Sequence, residues 1–291
     1  MTALQTILAA FPSLSPTLQA AARFIVDHPN EVVIASMRTL AERAQAQPAT
    51  FVRLARQLGY TGWPDLKAAF ATDLGLSPEG YGEKARTLAT RGPEQGMADE
   101  MFGVLRTNLD HTLSHASEVL PKIAAALAKA THVHIAGFRA STPIAYALFY
   151  GYRLFRQSVS LLDGQYGSLE MQSRSIGKSD VVVVVSFAPY SREALEVMDM
   201  ATKAGAKIVA LTDSSASPLA LNASLAALFS VSSPSFFPSV AAGVGLAETL
   251  LELLVAAGGP GVAKKINQAE RNLFDSGAYH PRPTATFASK I

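Results

Sequence analysis

Three short segments hold most of the residues able to do chemistry on a small polar ligand. They are Gly137-Phe138-Arg139-Ala140-Ser141, Ser186-Phe187-Ala188-Pro189-Tyr190-Ser191 and Thr212-Asp213-Ser214. Each follows a short apolar or β-branched run, and a stretch with helical character comes after it. Hydroxyls and unpaired N–H groups at helix N-termini suit an anion. A guanidinium adds a planar fork that matches phosphate or carboxylate. Gly137, Arg139, Ser141, Ser186, Tyr190, Ser191 and Thr212 are therefore the candidate ligand-binding residues. Plainer roles compete: Ser141 and Ser191 as helix caps, Gly137 as a tight strand-to-helix turn, and Thr212-Asp213 with Ser217-Pro218 as turn and cap chemistry.

Other reactive groups are less organised. Glu170, Glu193 and Glu248 are available as general bases, but no motif singles one out, so no catalytic residue is assigned. His132 and His134 alternate along a strand and share a face, yet two histidines without a third ligand nearby do not define a metal site. Neither a metal nor a cofactor is expected. Cysteine is absent, which excludes disulfides, thiolate metal sites and a cysteine nucleophile.

A second chemistry lies in the first quarter of the chain. Six Arg/Lys face five acids over residues 1–76, and four of the six cations fall between Arg38 and Arg56. Apolar residues recur there at three- and four-residue spacing, as in Leu18, Ala22, Ile25 and Val26, then Leu40, Ala41 and Ala44, the mark of amphipathic helices. Ser15-Pro16 opens one helix and His28-Pro29-Asn30 closes it. A helix over Thr39–Ala44, a break at Gln45–Gln47, and a second helix starting at Pro48 and stopped by Gly59 spell a helix-turn-helix. The spacing turns Ala49, Val52, Ala55 and Leu58 inward and sets Thr50, Arg53 and Gln57 outward, with Arg56 beside them. Gln47, Thr50 and Arg53 would then face base edges, while Arg38, Arg43, Arg56 and Lys67 hold phosphates, and Gln57 completes the DNA-binding set. A plain helical hairpin with a solvated charged face has the same pattern.

From His132 onward strands and helices alternate. Strands are expected at His132–Gly137, Ser158–Leu162, Val181–Phe187 and Lys207–Thr212, with a fifth near Leu228–Val231. Five consecutive valines from Val181 read as a central parallel strand covered on both faces. The whole is a doubly wound α/β sheet, whose ligands bind beyond the carboxyl ends of the strands. Residues 77–96, with four glycines and two prolines, read as a linker with at most one helical turn near Lys84–Thr90.

Bulk properties limit the classes. Of 291 residues, 49% are hydrophobic and 16% charged, so a large core forms and disorder is excluded. The net charge of +2 does not by itself announce a nucleic-acid partner. The first residues lack the basic start and apolar run of a signal peptide. The most apolar region, around Val240–Gly258, carries Glu248 and Glu252, so no membrane span and a cytoplasmic location are expected.

Several motifs point further. Leu40-Ala41, Ala49-Thr50-Phe51-Val52-Arg53, Leu58-Gly59-Tyr60 and Gly62-Trp63-Pro64-Asp65-Leu66-Lys67 together resemble the N-terminal domain of the RpiR (MurR/RpiR) family of bacterial regulators. The later loops resemble the SIS (sugar isomerase) domain that these regulators carry, so the resemblance covers nearly the whole chain. It implies an all-α helix-turn-helix domain over 1–76, a linker over 77–96, a SIS-type α/β domain over 97–260, and a C-terminal helix and tail over 261–291. It implies a transcriptional regulator, more often a repressor, that binds a double-stranded DNA operator as a homodimer or homotetramer under control of a small anionic metabolite. A phosphosugar isomerase is the alternative from another class. Three departures matter: Gln47 replaces the usual capping Ser, Arg139 stands where a Gly is usual, and Ala188-Pro189 replace a hydroxyl and a glycine of the phosphate loop. Arg139 either compensates as an anion clamp or serves a subunit interface. Arg271 and Tyr279 reach toward a neighbouring subunit by the same analogy.

Overall fold

The computed structural model describes residues 2–27, 32–33, 36–73, 80–93 and 95–280. The first unit is built from α1 (Ala3–Ala10), α2 (Pro16–Asp27), α3 (Met37–Arg43), α4 (Pro48–Gln57) and α5 (Trp63–Asp73). Their apolar stripes meet in one core of Ile7, Leu18, Ile25, Leu40, Phe51, Leu54, Trp63, Leu66 and Phe70. Ser36 caps α3 by accepting the Thr39 N–H at 3.1 Å. Gln47 stands at the N-cap of α4 with no side-chain bond, and Pro48 opens that helix. The expected helix end at His28-Pro29-Asn30 lies outside the described residues.

The facing of α4 differs from the expected one. Thr50 is only 2% exposed, beside fully buried Phe51, Leu54 and Ala55, whereas Ala49 is exposed and Val52 half-buried. The larger side chains Phe51 and Leu54 displace Ala49 and Val52 from the interior, and their arc at 100° per residue carries Thr50 inward with Leu54 four positions on. Thr50 therefore does not face outward.

The second unit holds five parallel strands in the order β2-β1-β3-β4-β5, with β1 at Val133–Gly137, β2 at Val159–Leu162, β3 at Val181–Val185, β4 at Lys207–Thr212 and β5 at Leu225–Leu228. The fifth strand thus precedes the expected position, because Leu228 ends it and Phe229 turns into the core. Before the sheet come α6 (Tyr81–Arg91), α7 (Met97–Ala116) and α8 (Leu120–Lys129). Between and after the strands lie α9 (Thr142–Arg153), α10 (Leu169–Ser173), α11 (Arg192–Ala204), α12 (Pro218–Asn222) and α13 (Ala241–Asp275). Period-two alternation sorts β3 cleanly. Val181, Val183 and Val185 face the core shared with α8, α9 and α13, while Val182 and Val184 face the core under α11.

The expected linker is not plain coil. Within residues 77–96, α6 makes three turns, ends at Gly92 with φ +67°, and packs Tyr81 on Phe237 at 5.2 Å between ring centroids. Glycine at the C-cap and a docking aromatic outweigh the Gly/Pro-rich composition. The helix α13 is long and apolar enough in composition to cross a bilayer. Its apolar stripe Leu246, Ala247, Leu250 and Leu254 is buried in the sheet's core, and Gly259 with Pro260 breaks its run. Tyr279 folds back on its own chain, against Phe274 and within 3.5 Å of the Tyr150 hydroxyl.

Candidate functional site

Strand register sets the first candidate site. Gly137 pairs with Val185 and Val185 with Leu211, so the loops after β1, β3 and β4 share one rim of the sheet. Gly137 sits where a Cβ would come within 2.5 Å of the Ala145 Cβ, so the turn into α9 needs glycine. The three loops are stitched together by their own polar groups. Ser186 Oγ accepts the Ser191 N–H at 3.2 Å, and Ser191 Oγ caps α11 by accepting the Ala194 N–H at 3.2 Å. Tyr190 donates its hydroxyl to Asp213 at 3.0 Å, and Thr212 does so at 3.2 Å. Asp213 also accepts the Ala188 N–H at 3.2 Å. Burial pushes the Asp213 carboxyl above its ordinary range, and burial followed by the Asp213 charge pushes the Tyr190 phenol far up, so it stays a neutral donor.

Arg139 takes a left-handed backbone, φ +53°, which explains why glycine suits this position. Its guanidinium reaches Glu193 at 2.8 Å, with 73% of its side chain exposed, and holds that carboxyl below its ordinary value. Ser141 is buried and makes no side-chain cap bond to α9. Hence Ser186, Tyr190, Ser191 and Thr212 are gathered but committed largely to the loops themselves, and Arg139 is committed to Glu193. The acids weighed as bases are engaged or remote. Glu193 pairs with Arg139, Glu170 with Arg174 at 2.7 Å, and Glu248 lines a groove between α7 and α13.

A cavity of about 710 Å³ opens beside these loops, between the sheet rim and the helical unit. Ala188, Pro189 and Asp213 form one wall. Ser232, Ser233 and Phe237 form another, and Lys67 on α5 with Tyr81 and Lys84 on α6 closes the third. Lys67, expected on DNA phosphates, is thus half-buried in this wall, and burial lowers its ammonium pKa. Lys84, Tyr81 and Phe237 are not among the ligand-binding residues expected from the sequence. Their only sequence signal was an aromatic pair in Ser235-Phe236-Phe237-Pro238-Ser239 and two cations in the supposed linker.

A larger cavity of about 900 Å³ lies elsewhere, between the end of α9 and the second half of α13. Its Arg156 is occupied by the Leu127 carbonyl at 2.6 Å and the Ala130 carbonyl, so it cements the fold. His132 and His134 stack at 4.5 Å at the opposite end of the strands from the loops. His134 bridges Ser160 Oγ at 2.9 Å and Asp180 at 3.3 Å. The Ser160–His134–Asp180 relation resembles a hydrolytic relay, but none of the three residues lines the 710 Å³ cavity, the 900 Å³ cavity or the α7–α13 groove.

On α4 the outward groups are Arg53, Arg56 and Gln57, with Gln47 at its start and Arg38 and Arg43 exposed on α3. Of the eight expected DNA-facing residues, all but Thr50 and Lys67 are therefore exposed.

Residues 1–77 match the helix-turn-helix domain of the rpiR family, and residues 126–253 match the SIS domain. The bifunctional protein glk of Burkholderia mallei is 29% identical over 219 residues, covering 74% of this chain but 33% of that protein. The chain thus spans about a third of the length of that relative. An uncharacterized HTH-type transcriptional regulator of Caldanaerobacter subterraneus is 26% identical over 210 residues, covering 72% of this chain and 73% of its own. In fold, the Vibrio vulnificus NanR protein, solved in complex with ManNAc-6P, superposes with a TM-score of 0.59 at 20% identity. That match covers 96% of this chain and 100% of NanR.

Proposed function

The chain belongs to the rpiR family of helix-turn-helix regulators with a SIS domain, and on that premise we propose that it binds operator DNA through α4 under the control of a small anionic metabolite. The observation that carries the DNA half is the outward set Arg53, Arg56 and Gln57 on a helix whose opposite side is locked into a core by Phe51 and Leu54. A sugar phosphate or sugar acid is the effector class, and NanR with its bound ManNAc-6P supports that choice. The protein acts in the cytoplasm as a regulator, more often a repressor in this family, and not as an enzyme. Glu193 and Glu170, two of the three glutamates weighed as bases, are held by arginines rather than poised as bases.

A single small helix-turn-helix makes too few base contacts for a specific site, so a dimer or tetramer reads paired half-sites. Exposed Phe102, Leu109 and Leu113 on α7 supply an apolar face for a second copy.

The test is fluorescence anisotropy with DNA from upstream of the chain's own gene. Arg53→Ala should weaken specific binding by about 5- to 150-fold, the ~1–3 kcal/mol of a bidentate base contact. Arg56→Ala should weaken all sequences alike and reduce the salt slope by about one. Unchanged affinity and specificity in Arg53→Ala would remove the basis for the reader assignment.

A further inference from the structure

We propose that the Tyr81–Phe237 ring contact is the joint through which the ligand-bearing loops set the placement of the DNA reader, with α6 as a strut that docks on the sheet unit or lets go of it. This rests on the reading of the chain as a metabolite-responsive regulator whose ligand sits at the strand-end loops, and it assigns the route by which that site acts on the reader.

Helix α6 is the described element between α5, which belongs to the reader, and α7, which leads into the sheet unit. None of its residues is buried. No core fixes its position, so contacts at its ends decide where it lies. At its first residue the Tyr81 ring meets Phe237, with centroids 5.2 Å apart and planes inclined at 50°. At its last residue Arg91 reaches Glu100 of α7 at 3.0 Å. A ring pair adds buried area to its preferred geometry, whereas partly exposed ion pairs contribute little. Among the described contacts the aromatic one is therefore the anchor.

The seat for Tyr81 is held from the sheet side. Residues 231–239 close on themselves where the Ser239 N–H donates to the Val231 carbonyl at 3.0 Å. Asn108 of α7 donates to the Ser232 carbonyl at 2.7 Å, and the Ser230 hydroxyl donates to the Asn108 side-chain oxygen at 2.8 Å. Phe237 is thus presented on a clamped loop to a helix that has no core of its own. Such a pair has two arrangements, docked and released, and a two-state element is what coupling between sites requires.

The loops and the reader both reach this joint. Ala188, Pro189 and Asp213 line the same 710 Å³ cavity as Tyr81 and Phe237. Asp213 belongs to the loop network as well, accepting the Tyr190 hydroxyl at 3.0 Å and the Ala188 N–H at 3.2 Å. A ligand seated on the loops therefore bears on a wall of the cavity in which α6 docks. From the reader, Pro64 and Ala71 of α5 line that cavity too. Trp63 on the same helix packs edge-on against Phe51 of α4 at 5.3 Å. Where α5 goes, the helix carrying Arg53 follows.

Trp63 supplies the test, since it is the chain's one tryptophan and is 5% exposed in the reader's core. Its fluorescence anisotropy decay reports how the reader tumbles, and in the full chain it should follow the whole particle. Phe237→Ala and Tyr81→Ala should each add a faster component, and Tyr81→Phe, which keeps the ring, should not. Neither ring belongs to a buried core, so these variants should fold. Operator affinity is then measured with and without glucose 6-phosphate, 6-phosphogluconate or gluconate, and the binding of each probe is followed by isothermal titration calorimetry. In the parent, a probe that binds should shift operator affinity about 5- to 150-fold, the usual range of coupling. Both alanine variants should bind that probe within about twofold of the parent, while the shift in operator affinity falls below about twofold. An unchanged Trp63 decay, or a full shift retained in the alanine variants, would overturn the joint. Loss of probe binding in those variants would overturn it too, by making the rings part of the ligand site. If no probe binds the parent, the effector reading falls, and the Trp63 decay still judges the joint.

Discussion

Two glycines meet similar overlaps and should respond differently to alanine. At Gly137 an added Cβ would lie 2.5 Å from the Ala145 Cβ and 3.0 Å from the Ser141 carbonyl oxygen. Neither neighbour can rotate away: Ala145 has no rotamer and is fully buried, and the Ser141 oxygen is backbone. Relief requires α9 to move off β1. At Gly151 the overlap is nominally worse, 2.3 Å, but the partner is Cδ1 of Leu251, the far end of a flexible side chain. Overpacking that must be absorbed by backbone costs about 1–3 kcal/mol, while Gly→Ala returns about 0.4–1 kcal/mol by restricting the unfolded chain. Gly137→Ala should therefore lose on the order of 1–2 kcal/mol net. Gly151→Ala, inside a helix where alanine is favoured by about 1 kcal/mol, should be close to neutral. Urea unfolding followed by circular dichroism compares the two midpoints. If Gly137→Ala matched the parent, or Gly151→Ala were the more damaged, the argument from rigidity of the neighbour would be wrong.

Three further outcomes follow from the same geometry. Burial, then the neighbouring histidine, lowers the pKa of His132, and burial lowers that of His134 despite Asp180. The folded chain thus binds fewer protons than the unfolded one below the ordinary histidine value of about 6.5, and stability present above that pH should fall as it drops. For Asp180, burial raises the pKa, but the Gly177 N–H and His134 more than offset it, so its contribution is lost in the same direction at lower pH. Melting temperatures that stay flat from about pH 7 to 5, or that slope equally in His134→Gln, would contradict this account. Gln47→Ser should add about 1 kcal/mol by giving α4 the side-chain cap it lacks, read as a raised urea midpoint; no gain would mean that its first N–H groups are already satisfied. Arg139→Gly should be nearly neutral in the same assay, since release of the left-handed backbone, about 1 kcal/mol, offsets loss of an exposed ion pair worth about 0–1 kcal/mol; a loss well above that would show Arg139 to be structurally required.

The sheet was legible because its signals are local and redundant. Five valines in a row admit few readings, and their alternation between two cores follows from the pleat. Helix α11 begins at Arg192 and ends at Ala204 because Ser191 caps it and Gly205, at φ +70°, stops it. The facing of α4 was not legible from spacing alone. Ala49-Val52-Ala55 and Thr50-Phe51-Leu54 both fit a helical period, and only packing volume chooses Phe51 and Leu54 for the interior. Tyr81–Arg91 was hidden by flanking glycines and prolines, since what holds it is a contact with Phe237, 156 residues on. The loop residues were found by type and place, but their commitments to one another were not. Sequence shows that Arg139 can clamp an anion, and not that Glu193 already holds it.

Such commitments bear on how the two units communicate. A ligand held wholly by the strand-end loops would touch groups bonded to one another, Ser186 with Ser191 and Tyr190 with Asp213, and would have to break those bonds to signal outward. The 710 Å³ cavity beside the loops is lined from outside the sheet as well, by residues of α5 and α6. Trp63 and Leu66 of α5 are buried in the reader's core. Tyr81 of α6 rests on Phe237, in the segment leading to α13. A ligand shifts a conformational equilibrium only through its differential affinity for the two states, so one that signals to the reader must touch groups that the strand-end loops have not already committed to one another.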